Sequence, residues 1–184
     1  MNVPFAIEPT DIDGLLVIRM KQISDERGTI RELFRASAFA TAGRTVGPWL
    51  QVNVTETQQG AIRGLHGEAM TKLVAVVYGE AFGAYVDVRS SSPTRGKVAT
   101  VPLVTGTQVL VPPGVCNGFQ SVSSGTSQYL YCFDAEWVPG MSGTAVNPMD
   151  PDLGIVWPLA VDIHDRAQLS AKDAGLPMLR DVLG

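Results

Sequence analysis

Histidine, cysteine and charge are all scarce in this chain, and each scarcity removes a class of function. The only histidines, His66 and His164, are too few for a typical metal centre of converging imidazoles and a carboxylate. The two cysteines, Cys116 and Cys132, lack metal-ligand spacing and sit among strand-forming residues where a buried free thiol is expected, which implies a reduced, cytoplasmic protein. Charged residues are 17% of the chain and the net charge is −4, with a pI near 5.1. That balance excludes a general binder of nucleic acid or anionic membrane and leaves open a local basic pocket for a phosphorylated small molecule. No apolar run approaches the ~18 residues of a membrane span, and Met1-Asn2-Val3-Pro4 has no cationic start leading into an apolar core. No linker or charge run divides the chain, so one soluble, unprocessed domain over residues 1–184 is expected.

Punctuation, by contrast, is plentiful, with 19 glycines and 12 prolines. Apolar strand patterns fall at 14–18, 50–55, 72–77, 81–89, 97–103, 108–111, 118–122 and 128–133. Between them lie turns such as Ser90-Ser91-Ser92-Pro93, Thr105-Gly106, Pro112-Pro113-Gly114 and Ser123-Ser124-Gly125. This spacing predicts a mainly β protein, an antiparallel sandwich or barrel. Helix is confined to Ser37–Ala42, a short turn around Pro148–Leu153 and the tail Pro177–Leu183.

The most informative run is Gly60-Ala61-Ile62-Arg63-Gly64-Leu65-His66, with Lys72 six residues on. A strand ending in Arg-Gly-Leu-His directs a base and a cation toward one pocket, and Gly64 allows a substrate or a neighbouring strand to approach the backbone. A small barrel with a histidine near a Pro-Pro-Gly turn also resembles the cupins. Their usual metal ligands are missing, because Asn117 stands where that motif has a histidine and His164 lies in a polar segment after the last strands. A metal-dependent dioxygenase would need an unusual ligand set.

Many short blocks occur in a telling order: Asp25-Glu26-Arg27-Gly28 with Glu32, Gln51-Val52-Asn53, the Arg63 to His66 run, Lys72-Leu73-Val74, Val86-Asp87-Val88-Arg89 and Ser92-Pro93-Thr94. They continue with Val111-Pro112-Pro113-Gly114, Leu130-Tyr131, the stretch from Asp150 to Pro158, and Leu169-Ser170-Ala171-Lys172-Asp173. Over residues 20–173 the chain resembles the dTDP-4-dehydrorhamnose 3,5-epimerases. The resemblance implies a cupin-type jelly roll without metal or cofactor, acting as a homodimer on a dTDP-linked 4-keto-6-deoxy sugar.

The residue types suit that chemistry. Epimerising a carbon beside a ketone needs a base for the α-proton, a charge to hold the enolate, and an acid on the opposite face. His66 is the base, and by resemblance Asp173 fixes its tautomer and supports the imidazolium. Lys72 matches the cation at the enolate oxygen. Tyr131 matches the acid, since a phenol is protonated at neutral pH. Arg63 is suited to bidentate contact with the diphosphate. Arg27, Glu32, Gln51 and Asn53 match residues lining the nucleotide and sugar pocket, and Lys172 is counted with them. Each of these also has a purely structural reading: Lys72 as a solvent-facing strand residue, Tyr131 as a core aromatic, Asp173 as a helix cap. Asp87 and Arg89 read as a structural strand-end pair, and Trp157-Pro158 and Phe119 as packing.

Four departures from the family pattern bear on substrate binding. Asn117 replaces the histidine of a common Ala-His-Gly-Phe run, and Gly83 replaces an aspartate, so a polar pair inside the barrel is expected to be missing. The segment from His66 to Lys72 is short by several residues. Trp137 replaces a tyrosine and keeps an aromatic surface for substrate. The expected function is epimerisation at C3, C5 or both. The alternatives are an epimerase of another deoxysugar pathway acting at a single position, and a non-catalytic sugar-nucleotide-binding cupin.

Overall fold

Two antiparallel sheets face each other across an apolar interior in the computed structural model, which describes residues 2–184. The larger has six strands in the order β2 (Ala6–Pro9), β3 (Leu16–Arg19), β11 (Thr107–Val111), β8 (Lys72–Tyr78), β13 (Thr126–Phe133) and β6 (Gln51–Gln58). The second has five, in the order β10 (Val98–Val104), β9 (Glu80–Asp87), β12 (Val115–Ser121), β7 (Ile62–Glu68) and β14 (Gly143–Ala145). A separate small sheet joins β1 (Asn2–Val3), β4 (Gln22–Asp25) and β5 (Gly28–Arg31). This is the antiparallel sandwich that the turn spacing implied, in the jelly-roll form that the resemblance implied.

Period-two alternation decides which side chains enter the barrel. On β8 Val74 and Val76 point inward to join Tyr85, Val109, Phe119 and Tyr129, and Leu73 packs outward with Leu16, Ile18 and Leu130. That outer face is covered by α1 (Ala36–Thr41), whose Phe39 meets Phe5 and Phe34 at ring distances of 5.1 and 5.5 Å. On the five-stranded sheet the outer face carries Leu65, Ala84, Val86 and Cys116, under Val146, Leu153 and Leu179 from the C-terminal third. The central strands of both sheets are thus packed on both faces. This explains why a strand such as Lys72–Tyr78 reads as an almost unbroken apolar run.

The C-terminal cover also positions a piece of the site. Ile62 donates its N–H to the carbonyl of Gln168 at 2.8 Å and bridges to Leu169. The chain then turns into α2 (Ala171–Ala174), capped by the Ser170 hydroxyl on the N–H of Asp173 at 3.0 Å. Ser170, rather than Asp173, is therefore the cap, and the Asp173 carboxylate is free to face β7. α3 (Leu179–Leu183) is shorter than the predicted tail helix. The strand expected to end at His66 instead runs on to Glu68, placing His66 within it.

Asp87 and Arg89 form the structural pair expected of them, and more. Asp87, fully buried, accepts from Arg89 Nε and Nη2 at 2.8 Å each, from the Arg89 N–H, and from the hydroxyls of Ser92 and Thr94. Arg89 continues to the carbonyl of Asp13 at 2.7 Å, tying the segment before β3 to the barrel. Burial alone would raise the Asp87 carboxyl, but its hydrogen bonds to Arg89, Ser92 and Thr94 outweigh that and hold it well below the usual carboxylate range. Trp157 and Phe119 pack as expected, the first edge-on to Phe82 and the second stacked on Tyr129 at 4.0 Å.

Candidate active site

A cavity of about 530 Å³ opens at one end of the barrel, and both sheets contribute to it. β7 presents His66 and Glu68, two residues apart and so on one face of the strand; β8 brings Lys72, β12 Asn117 and β13 Tyr131. The close approach of β7 and β12 depends on Gly64, at φ +122°. A Cβ there would lie 2.6 Å from the Cα of Gly118, where the register of the two strands shifts.

His66 and Asp173, 107 residues apart in sequence, meet with Nε2 and Oδ1 at 2.9 Å. A proton shared along that contact leaves the lone pair on Nδ1, the nitrogen that can act as a base. The second Asp173 oxygen accepts the N–H of Gly64 at 3.5 Å, and the Ser170 hydroxyl adds weaker support to the carboxyl. Burial raises the Asp173 carboxyl, but the hydrogen bond and charge of His66 lower it further, so it stays ionised beside the imidazole.

Lys72 is almost completely buried at 4% exposure. Its ammonium donates to the backbone carbonyl of His66 at 3.0 Å, to Asn117 Oδ1 at 2.7 Å and to Glu68 Oε2. Burial pushes Glu68 up, yet the Lys72 ammonium brings it below its ordinary value. Tyr131, on β13 next to the Lys72 strand, faces His66 from the opposite sheet and packs against Tyr129 at 4.8 Å. Burial raises its phenol well above 10, so it retains its proton at neutral pH. Among the described residues no group of three or more His, Cys, Asp and Glu side chains is placed to hold a metal ion.

Eight of the residues singled out in the sequence line this cavity: His66, Lys72, Tyr131 and Asp173, then Asn53, Arg63, Asn117 and Lys172. Four do not. Arg27 lies in the exposed β4–β5 turn paired with Asp25, and Glu32 is tied to Arg35 and Lys21. Gln51 and Trp137 sit together outside the lining, the Trp137 N–H donating to Gln51 Oε1 at 2.7 Å. The polar pair expected to be missing is indeed gone. At Gly83 a Cβ would meet Tyr85 Oη at 2.7 Å and Leu103 Cδ1 at 3.0 Å, so those side chains fill the space, and Asn117 turns its oxygen to Lys72.

Sequence reasoning missed Glu68 and Arg166, both in the lining. Glu68 was recoverable, because extending the strand past His66 puts i+2 on the same face. Arg166 comes from an irregular segment whose path no local pattern fixes.

Comparison with known proteins places the whole chain beside one family. A sequence profile of the dTDP-4-dehydrorhamnose 3,5-epimerase family matches residues 9–181. A dTDP-4-dehydrorhamnose 3,5-epimerase of Salmonella typhimurium is 34% identical over 181 residues, covering 95% of each chain. A dTDP-4-dehydro-6-deoxyglucose 3-epimerase of Streptomyces bikiniensis is 33% identical over 181 residues, covering 94% of this chain and 88% of its own. The structure of RmlC from Legionella pneumophila, a dTDP-6-deoxy-D-glucose-3,5-epimerase in complex with dTDP-4-keto-L-rhamnose, matches with a TM-score of 0.85 at 33% identity. That match covers 96% of this chain and 94% of the other.

Proposed function

The chain belongs to the dTDP-4-dehydrorhamnose 3,5-epimerase family and is an epimerase, and we propose that it removes and returns a proton at C3, C5 or both, beside the C4 ketone of a dTDP-linked 4-keto-6-deoxyhexose. One observation carries this reading: a base oriented by a carboxylate and a protonated phenol stand on facing sheets of one cavity, with an ammonium between them in the sequence of strands. His66 takes the α-proton, and Asp173 supports the imidazolium that results. Lys72, itself buried, stabilises the enolate oxygen. Tyr131 returns a proton from the other wall, which inverts the centre. None of these steps calls for a Lewis acid. Among the described residues Arg63 bonds the Thr57 hydroxyl and the Glu56 carbonyl, and neither it nor Lys172 pairs with a carboxylate. Their uncompensated charges suit the diphosphate.

The test is incubation with dTDP-4-keto-6-deoxyglucose in deuterated water, reading both label and configuration. The positions labelled count the centres inverted, the feature that separates a double from a single epimerase. Tyr131→Phe should still exchange the α-proton while inversion is suppressed. If its inversion keeps pace with the native enzyme, Tyr131 is not the acid.

A homodimer accompanies this reading. The edge strand β6 exposes Val52 and Val54, preceded by Leu50, and the β4–β5 hairpin exposes Ile23 and Ile30. Such apolar edges need cover. With a second copy seated on them, Arg27 and Glu32 have a route to a cavity that their own chain does not give them. Light scattering at micromolar concentration should give twice the chain mass, and a monomer there contradicts the proposal. The buried free thiols Cys116 and Cys132 suit a reducing, cytoplasmic setting.

A further inference from the structure

An ammonium has three N–H donors, and all three of Lys72's are in use. They go to the His66 carbonyl, Asn117 Oδ1 and Glu68 Oε2. As the side chains stand, no donor remains for a substrate oxygen, so one of the three acceptors must yield before Lys72 can hold an enolate. The His66 carbonyl is fixed in the middle of β7. Asn117 is only 5% exposed, on a strand flanked by β7 and β9. Glu68 alone is a flexible side chain reaching toward open space, with 24% of it exposed in the cavity.

Resting on the epimerase reading above, we propose that Glu68 is an exchangeable counter-ion that occupies the seat of the enolate oxygen on Lys72 and gives it up as the substrate reacts. The carboxylate is a better partner for an ammonium than a neutral ketone, and an enolate oxygen matches it in charge. Glu68 therefore keeps a neutral ketone off the ammonium and yields its place only once negative charge has built up on the substrate oxygen. Interactions stronger in the transition state than in the ground state are the ones that accelerate a reaction. Glu68 acts through Lys72, as a positioning residue that makes the cation selective for developing charge.

Glu68→Gln keeps the shape and removes the competing charge. Its KM for dTDP-4-keto-6-deoxyglucose should fall about five- to tenfold, the ratio between a charge-assisted and a neutral contact, with kcat level or higher, because the enolate no longer has to displace a carboxylate. Affinity for dTDP, which has no ketone, should equal that of the native protein, which checks that the fold and nucleotide site are intact. In protein labelled with ¹⁵N-lysine, the Lys72 Nζ signal should move on adding the keto sugar and stay still on adding dTDP. An unchanged or higher KM in Glu68→Gln, or a Lys72 signal indifferent to the keto sugar, overturns the counter-ion. If the native protein incorporates no deuterium into the sugar, the epimerase reading itself fails and the counter-ion with it. Incorporation together with an unmoved KM in Glu68→Gln refutes the counter-ion alone.

Discussion

Two buried carboxylates, Asp87 and Asp173, are each paired with a basic side chain and have opposite characters. Asp87 takes five donors, from the side chain and backbone of Arg89 and from the hydroxyls of Ser92 and Thr94. Asp173 has one short contact, to His66, one long one, to the N–H of Gly64, and weaker support from the Ser170 hydroxyl. A carboxylate offers about four lone-pair sites, so Asp87 is saturated and Asp173 is not. The first ties loops to a barrel and cannot respond to anything without coming apart. The second can follow the charge on its imidazole as a proton arrives and leaves. Partner count, more than burial, separates a carboxylate that holds the fold from one left able to take part in the proposed chemistry.

Breaking the unsaturated pair should have the largest effect. His66→Ala should reduce exchange of the substrate α-proton by about 10²–10⁴-fold with the thermal midpoint little changed, read by mass spectrometry of the sugar. Wild-type exchange in that variant removes His66 as the base. Asp173→Asn should slow exchange and inversion together, since it leaves the imidazole without its orienting charge.

Breaking the saturated pair should show the reverse. Asp87→Asn leaves Arg89 facing a neutral amide and should cost about 3–5 kcal/mol in urea unfolding, while kcat per folded molecule stays at the native value. A loss of kcat without loss of stability would erase the distinction between the two sites.

Acid sharpens the same contrast. The folded carboxyl of Asp87 lies below its ordinary value of 3.8, so its stabilisation is present above that value and is lost as pH falls through the depressed folded one. The stability gap between native protein and Asp87→Asn should be widest near neutrality and narrow below about pH 4. A gap constant with pH would mean that the ionised form contributes nothing. Chelation is expected to have the smallest effect: turnover after treatment with EDTA should equal that before it. Activity lost on chelation and restored by one metal would replace Lys72 with a Lewis acid.

Residues whose placement follows from strand alternation and block order were readable in the sequence. His66, Lys72 and Tyr131 stand on strands predicted from apolar runs, and Asp87 with Arg89 was rightly assigned to structure. Asp173 was identified as a partner by resemblance alone, because nothing local reveals that a segment 107 residues away crosses β7. Glu68 was lost to a strand boundary drawn two residues early. β14 was missed because three residues, Gly143–Ala145, after a Gly- and Ser-containing turn carry no alternation of their own. Arg27 and Glu32 were assigned to a pocket that their own hairpin does not reach, because block order places residues in sequence and not in space.

The span between His66 and Asp173 has a consequence for biosynthesis. At translation rates of about 5–20 residues per second, the 107 residues between them take roughly 5–20 s to emerge. Throughout that interval the nascent chain carries its histidine without the carboxylate that orients it. A ribosome stalled late in the message would thus release a largely complete barrel with a silent base, and a protease cut between Leu159 and Gln168 would threaten the same contact in the finished protein.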